Sequence, residues 1–537
     1  MTCVRRLTVL ATLGLAACAS EPSPVPCAVC AGGGGTAGGA TAGGATAGGG
    51  ATAGGGATAG GSATAGGGST AGGGAMFGDV TGHAIVTWLL DDGGTVVQPL
   101  NTAAVSLGAW VGLDSGTPSY RMGSGNAQGT FTVPNVPPGD FLFRFGDTFL
   151  LTSERVLDLD SSSPGRPDGV RALVSPTPLT FDFTGLDPWQ SGDQLELFAS
   201  NAGAVLRSLE VYGTGAPDAG ATTLGGFSLD YARYSLTPTL NTPMIDGAKG
   251  DRAVLVQRRS REDAGVGTQL AVRAATPAPF TMVDGQARAL SGTFVAPSPQ
   301  TVAFDVRQAD FVAAGAQLNS SATQFLIVGF SVSARSPVLL DTDLFTEAGL
   351  GYARLPAALP PSFALASAFP PSFGVSVRVQ LQHVVQRALP GATTPLSQLA
   401  FIRSVLPLAT FTSGPVQPRL GPVTQPRVNG LDLLVDQTGI GTRPTFSWSA
   451  PALGAPSRYR IDVQRISLQQ GAVGVAATTR FETPHTTFTL PAAMLTAGQA
   501  YVVRIFALQA ANLGPAKLFG AALPLHDSAV VSGVLRP

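Results

Sequence analysis

The sequence predicts an all-β protein in which tandem β-sandwich domains follow a disordered, glycine-rich tether. From Met76 onward, short segments alternate apolar and polar residues and are separated by Gly, Pro, Asn and Asp, a pattern typical of strands and turns. Few segments have helical periodicity. The 537-residue chain is too long for one domain, and residues 31–75 contain only Gly, Ala, Thr and Ser, which cannot form a core.

The first 17 residues are typical of an export signal. Arg5 and Arg6 form a basic start, and the apolar segment 7–15 is too short to span a bilayer as a helix. We therefore expect this segment to direct export and then to be removed, and we do not expect a transmembrane helix. The uncharged stretch 355–377 is long enough to span a membrane, but five prolines interrupt it, so we exclude it as well.

The sequence Leu15-Ala16-Ala17-Cys18 at the end of this segment resembles the lipobox of bacterial lipoproteins. The resemblance implies cleavage between Ala17 and Cys18, acylation of Cys18, and attachment to a membrane through the lipid. Because Ala19 follows the cysteine where an aspartate would favour the inner membrane, it further implies the outer membrane, facing either the periplasm or the outside. The alternative is a secreted protein in which the cysteine occurs by chance.

Residues 18–75 are predicted to be a flexible linker. As a glycine-rich coil, the 45 residues from Ala31 to Ala75 should span roughly 35–40 Å. Cys27 and Cys30 have CxxC spacing, but no cysteine follows them, so a four-ligand zinc site is not expected. They also lack the helix that a redox pair normally opens. A local disulfide or no role is the prediction.

Composition argues against several functional classes. Charged residues make up 12% of the chain and the net charge is −1, so we expect no nucleic acid partner. The four histidines have no metal-ligand spacing, and nucleophile or nucleotide-binding motifs do not occur in the predicted domains. We therefore predict a non-catalytic protein with no metal site and no cofactor. Carboxylates that pair only in space leave a hydrolase open as an alternative.

The first predicted domain covers residues 76–175. Strands are expected at 80–86, 103–107, 129–133 and 141–145, the last after the turn Pro137-Pro138-Gly139-Asp140. These segments, in this order, resemble the carboxypeptidase-regulatory-like family of transthyretin-type sandwiches. The resemblance implies a structural or binding accessory domain and carries over no catalytic residue.

Two acidic segments of this domain are predicted to be structural. Asp91-Asp92-Gly93-Gly94 lies where a hairpin turn is needed. The segment that starts at Asp158 begins like a calcium loop, but Ser163 replaces the glycine at its sixth position and Gly169 the glutamate at its twelfth. We expect no calcium at this segment.

Residues 176–290 and 291–415 are predicted to be two further β-rich domains. Alternating segments at 179–183, 194–198, 253–257 and 301–306 favour sandwiches, although one large β-domain or a propeller-like array fits the same pattern. Thr394-Pro395 predicts the start of a short helix over residues 396–403. The repeated Pro-Pro-Ser-Phe segments make Phe363 and Phe373 candidate ligand contacts, with packing into the core as the alternative reading.

The last domain, residues 416–537, resembles a fibronectin type III domain. The resemblance rests on Trp448, on Tyr459 in an alternating strand, and on the spacing of Leu495, Gly498 and Tyr501. It implies that these five residues form structural core, with the Tyr501 hydroxyl bonded to the backbone as a tyrosine corner.

Taken together, these features predict a lipid-anchored cell-envelope protein that displays β-sandwich domains for adhesion, binding or envelope structure. An envelope protein or a polysaccharide would be its partner. The alternatives are a carbohydrate-binding or polymer-binding lipoprotein with its site in residues 176–415, and a hydrolase hidden in the same region. Below, the four predicted domains are called the first to fourth modules.

Overall fold

The computed structural model describes residues 77–113, 118–169, 175–233, 244–263, 266–303, 305–318, 324–333, 346–352, 359, 361–366, 374–469, 471–492 and 494–537. Throughout these residues β-strands dominate and the α-helices are short, so the predicted all-β fold with tandem sandwiches is confirmed. The predicted signal peptide, Cys18, the CxxC pair and the tether lie outside the described residues. No helix in the described ranges is long and apolar enough to cross a membrane.

The first module contains eleven short strands. They are β1 (Gly78–His83), β2 (Ile85–Leu89), β3 (Thr95–Pro99), β4 (Leu107–Val111), β5 (Ser119–Met122), β6 (Ser124–Gly125), β7 (Thr130–Val136), β8 (Phe141–Phe145), β9 (Thr148–Thr152), β10 (Val156–Asp158) and β11 (Ser161–Pro164). Residues 91–93 form the turn between β2 and β3, as Asp91-Asp92 predicts. The prediction of a strand at 103–107 is wrong. Asn101 caps a 3₁₀ helix at Thr102–Ala104, and the strand starts only at Leu107.

The second module packs two sheets around its own core. Its strands are β12 (Pro178–Thr184), β13 (Asp193–Ala199), β14 (Ala204–Leu206), β15 (Thr223–Asp230), β16 (Val254–Asp263), β17 (Val266–Ala275) and β18 (Arg288–Thr293), with helix α1 (Leu209–Tyr212). Sheet β15-β12-β18 supplies Phe181, Phe183 and Phe227 to the core, and the sheet containing β13 and β16 supplies Leu197 and Leu255. The alternation seen in the sequence therefore marks the inward faces of facing sheets.

The third module contains β19 (Pro299–Ala303), α2 (Gln308–Gly315), β20 (Gln324–Ser333), β21 (Thr346–Tyr352), β22 (Ser362–Ala366), β23 (Gly374–Arg387), β24 (Leu396–Pro407) and α3 (Leu408–Thr412). The prediction of a helix at 396–403 is wrong, since these residues form β24. This strand pairs with β23 along its whole length and with another strand on its other side. Strand pairing on both edges outweighs a local capping signal, because a strand satisfies its backbone groups through its neighbours.

The fourth module contains β25 (Thr424–Val428), β26 (Leu431–Asp432), β27 (Gln437–Thr438), β28 (Thr445–Ser449), β29 (Arg458–Gln469), β30 (Ala472–Thr483), β31 (Thr487–Thr489), β32 (Ala500–Gln509), β33 (Leu525–Val531) and β34 (Leu535–Arg536). Sheet β26-β25-β28-β31 packs on the sheet of β29, β30, β32 and β33. The core between them is continuous with that of the third module, through residues such as Val379, Ile402, Ile461 and Ile505.

Strand pairing crosses the module boundaries, and 18 strands belong to one sheet. The second module joins the third through β17–β21, the third joins the fourth through β24–β33, and the fourth joins the first through the parallel pair β30–β9. The first module also contacts the second, because Leu89 of the first packs with Phe198 and Val256 of the second. The contacts between modules thus form a closed circuit, which holds their surfaces in fixed relative positions.

A long loop, residues 510–524, reinforces this circuit. Leu513 and Leu523 pack on Phe506 of the fourth module. Leu518 joins the core of the first module, and the Lys517 ammonium lies 2.9 Å from the Asp158 carboxylate. This loop therefore acts as a strap between the first and fourth modules.

Candidate functional site

A groove lies where helix α2 of the third module faces two loops of the fourth. Its volume is about 620 Å³ and it is open to solvent along one side. The loops are residues 417–422 and 452–454, and the helix contributes Ala313 and Ala314 to the wall. Small-molecule and peptide sites often occupy clefts of this size at boundaries between domains.

The two loops are held together by tight backbone contacts. The N–H of Gly421 donates to the carbonyl oxygen of Leu453 at 2.9 Å. Gly454 has φ +77°, and a Cβ at this position would lie only 2.1 Å from the carbonyl oxygen of Arg419. Glycine is therefore required at position 454, and it fixes the distance between the two loops.

The groove combines an apolar floor with a polar rim. Asp310, Gln317, Arg419 and Leu453 are exposed, and Gln417 is half-buried. Among the described residues, no side-chain hydrogen bond ties down the rim residues Gln317, Gln417 and Arg419. Amide groups both donate and accept hydrogen bonds, so such a rim suits an extended peptide or a polyhydroxy ligand. No aromatic side chain lines the described part of the groove, so sugar stacking is not provided there.

A serine and a histidine meet on neighbouring strands close to this groove. Ser404 Oγ on β24 lies 2.9 Å from His526 Nδ1 on β33, because the two residues are directly paired across the strands. Burial, with a smaller contribution from Arg419, lowers the pKa of His526. A neutral histidine beside a hydroxyl is the first requirement of a nucleophilic pair.

The remaining requirements of a serine nucleophile are not met by this pair. Ser404 is 1% exposed, so a substrate cannot reach its hydroxyl. The nearest carboxylate in sequence, Asp527, points to the opposite face of the sheet, where it forms a two-bond ion pair with Arg403 at 2.7 and 2.8 Å. The arrangement is that of a buried polar contact that stabilises the sheet.

His83, Asp158 and Asp160 form a second cluster of chemically versatile side chains. Their ligand atoms lie within 4.8 Å of one another, which is close enough for a shared metal ion. However, the Lys517 ammonium already contacts Asp158, and Asp160 accepts a hydrogen bond from the N–H of Ile85 at 3.0 Å. Although partial burial acts to raise it, the hydrogen bonds from the Asp160 amide and from Lys517 lower the pKa of Asp158 on balance. The cluster therefore joins the strap to the first module.

Several charged side chains of the second module form buried ion pairs. Arg259 binds Asp193, and Arg258 binds Glu196 at 3.0 Å, all four being less than 5% exposed. Arg166 of the first module binds Asp251 of the second through Nε at 2.9 Å and Nη2 at 3.0 Å. These ion pairs join strands within the second module and join the first module to the second.

The five predicted core residues of the fourth module lie as follows. Trp448 and Tyr459 are 5% and 4% exposed, and their rings meet edge to face with centroids 5.2 Å apart. Leu495 and Tyr501 are 4% exposed, whereas Gly498 is exposed in a turn with φ +79° and does not lie in the core. The Tyr501 hydroxyl accepts a hydrogen bond from the N–H of Thr496 at 2.9 Å, which is the backbone contact of a tyrosine corner.

Phe363 and Phe373, the two predicted ligand contacts, are not seen together in a site, because only Phe363 lies within the described residues. Phe363 lies on β22, half-buried, and packs against the core shared by the third and fourth modules. Phe373, Ala17 and Cys18 lie outside the described residues. Sequence reasoning missed the groove, because its walls come from three segments that are remote in sequence and none of them contains a recognisable motif.

Comparison with known proteins adds little to this description. No protein-family model matches the chain. No curated protein matches it either. Among solved structures, the chain is similar to the crystal structure of the FN1–FN3 domains of chicken CNTN1, with 9% identity over 85% of this chain and 96% of that chain, and a TM-score of 0.13. The fold described above follows from the strand pairing of this chain.

Proposed function

We propose that this chain is a non-catalytic, lipid-anchored cell-envelope protein whose rigid assembly of β-sandwiches binds an envelope partner through the groove beside helix α2. The observation that carries the proposal is the closed circuit of contacts between modules. Because strand pairs and buried ion pairs fix the modules to each other, the loops of the groove keep their separation in the absence of a ligand. Preorganisation of this kind reduces the entropy lost on binding.

We also propose that the protein is attached to the membrane, and this part rests on the sequence of its first 75 residues. The Leu15-Ala16-Ala17-Cys18 segment and the glycine-rich residues 31–75 would place the modules at the end of a tether anchored in the outer membrane. Several acyl chains on one cysteine give stable anchoring where a single chain gives marginal binding. Assignment of the first and fourth modules to the carboxypeptidase-regulatory-like and fibronectin type III families belongs to the same proposal.

The anchor is tested with the full-length chain. Cys18→Ala should abolish partitioning into the detergent phase, whereas Cys27→Ser, a matched change of another cysteine in the same segment, should leave it unchanged. If the Cys18→Ala variant still enters the detergent phase, the anchor is wrong, and the groove has to be considered without it.

The groove is tested by direct binding to extended peptides and to envelope polysaccharide fragments. The double variant Gln417→Ala with Arg419→Glu should lose binding, because both polar groups face the groove. Arg288→Glu makes the same charge change on an exposed strand of the second module and should bind as the wild type does. If the double variant binds as well as Arg288→Glu and the wild type, the binding site lies elsewhere. If the protein turns over any of these ligands, the non-catalytic assignment is refuted.

A further inference from the structure

Strand β3 is an exposed edge of the first module. It is the outer strand of the three-stranded sheet β11-β2-β3, and β2 is its partner. All five of its residues, Thr95 to Pro99, are exposed, including Val96 at 37% and Val97 at 62%. An uncovered apolar edge is a template for pairing with another strand.

The hydrogen-bond phase of the hairpin shows which backbone groups face outward. Leu90 donates to Gly94 at 3.1 Å and Leu100 donates to Ala84 at 3.0 Å, so these are the hydrogen-bonded pairs at the two ends of the hairpin. Hydrogen-bonded pairs recur every second residue in an antiparallel ladder. Val96 and Gln98 therefore bond to β2, opposite Trp88 and Val86. The backbone groups of Thr95, Val97 and Pro99 point away from the sheet.

Proline at position 99 agrees with this assignment. Proline lacks an N–H, so at a position whose backbone faces outward it removes no hydrogen bond between β2 and β3. Apart from Pro99, the described residues around β3 lack the usual protection of a free edge. Residues 93–113 carry no charged side chain, and β2 and β3 pair without a bulge.

We infer that β3 pairs with β3 of a second copy of this chain, antiparallel and about a two-fold axis through Val97. In that register the two Val97 residues exchange N–H and C=O hydrogen bonds, and each Thr95 N–H donates to the Pro99 carbonyl of the other copy. Four hydrogen bonds form, and the three-stranded sheet becomes six-stranded across the axis. A two-fold contact requires a self-complementary surface, which this register provides.

Charge does not oppose the pairing of β3 with a second copy of the chain. Repulsion between identical edges is the usual obstacle to self-pairing, and Thr95 to Pro99 carry no charge. The nearest acidic residues, Asp91 and Asp92, lie in the hairpin turn beyond the paired segment. Strand β5, which ends the 18-stranded sheet, contains Arg121 instead and would place like charges near each other.

Disulfide cross-linking at the axis tests the pairing. Val97→Cys is introduced into the full-length chain carrying Cys18→Ala, Cys27→Ser and Cys30→Ser, so that no lipid on Cys18 brings the chains together, with Val211→Cys in the same background as control. Val211 is 69% exposed on helix α1 and is not part of a strand. Cα atoms of a hydrogen-bonded antiparallel pair are about 5.5 Å apart, within the range of about 4.4–6.8 Å for disulfides.

The variant with cysteine at position 97 should form a covalent dimer about tenfold faster than the control, because pairing raises the effective concentration of the two thiols. Any thiol at Cys3 contributes equally to both. In sedimentation experiments on chains that all carry Cys18→Ala, the chain with Val97 should associate with increasing concentration, and Val97→Lys should stay monomeric while Val97→Thr still associates. Equal cross-linking at positions 97 and 211, or a cross-link from 97 to a different protein, would overturn the inference. Neither readout depends on the lipid anchor or on the groove.

Discussion

The ion pair between Arg166 and Asp251 should be one of the strongest single contributions to the contact between the first and second modules. Their side chains are 8% and 0% exposed, and the Arg166 guanidinium binds both carboxylate oxygens. Asp251 also accepts a hydrogen bond from the N–H of Asp246 at 2.7 Å. Asp251→Asn keeps the size of the side chain but removes its charge, which leaves the guanidinium buried beside a neutral partner.

The expected loss of stability follows from that burial. Removing one partner of a buried ion pair costs about 3–5 kcal/mol, and because Asp168 still binds Arg166 we expect a loss near the lower end, about 3 kcal/mol. Asp168 is the matched control, since it also contacts Arg166, at 2.7 Å, but is 55% exposed. Exposed pairs contribute about 1 kcal/mol or less, so Asp168→Asn should have little effect.

Urea denaturation followed by circular dichroism measures both variants. The first unfolding transition of Asp251→Asn should move to clearly lower urea, while that of Asp168→Asn stays near the wild type. Replacing both partners, Arg166→Met with Asp251→Leu, should recover much of the loss, because an apolar pair needs no charge compensation. If Asp251→Asn and Asp168→Asn unfold together, the ion pair does not stabilise this contact and the reasoning is wrong.

Three further predictions concern the fourth module. Tyr501→Phe should lower the free energy of unfolding by about 0.5–1.5 kcal/mol, because the part-buried hydrogen bond from the N–H of Thr496 loses its acceptor; an unchanged denaturation midpoint would contradict this. Gly454→Ala should destabilise by about 1–3 kcal/mol and distort the groove, since alanine would adopt a positive φ against the Arg419 carbonyl, and Gly414→Ala, which meets no neighbour, should be neutral in the same melts. His526 should make the protein less stable in acid: its lowered folded-state pKa means that its contribution is full above about pH 6.5 and is lost as the pH falls through that lower value. In thermal melts at decreasing pH, His526→Gln should therefore show a shallower decline than the wild type, and an identical decline would refute the assignment.

Local sequence patterns were sufficient wherever neighbouring residues decide the structure. The turn at Pro137-Pro138-Gly139-Asp140 leads into β8, where the sequence placed a strand at 141–145. The prediction at 396–403 was wrong for the opposite reason. Its capping signal is local, whereas the strand that forms there depends on partners at 374–387 and 525–531, which a local pattern does not contain.

By itself, the sequence determined the all-β class and the positions of many strands, because an alternation of apolar and polar residues specifies a strand with one buried face. Only the tertiary structure decided how the modules join, since the pairing of β9 with β30 links residues more than 300 positions apart. The same holds for the groove, which exists only where α2 meets the loops at 417–422 and 452–454. It holds as well for the free edge at Val97, because a sequence shows that a segment can be a strand but not whether both of its edges are paired.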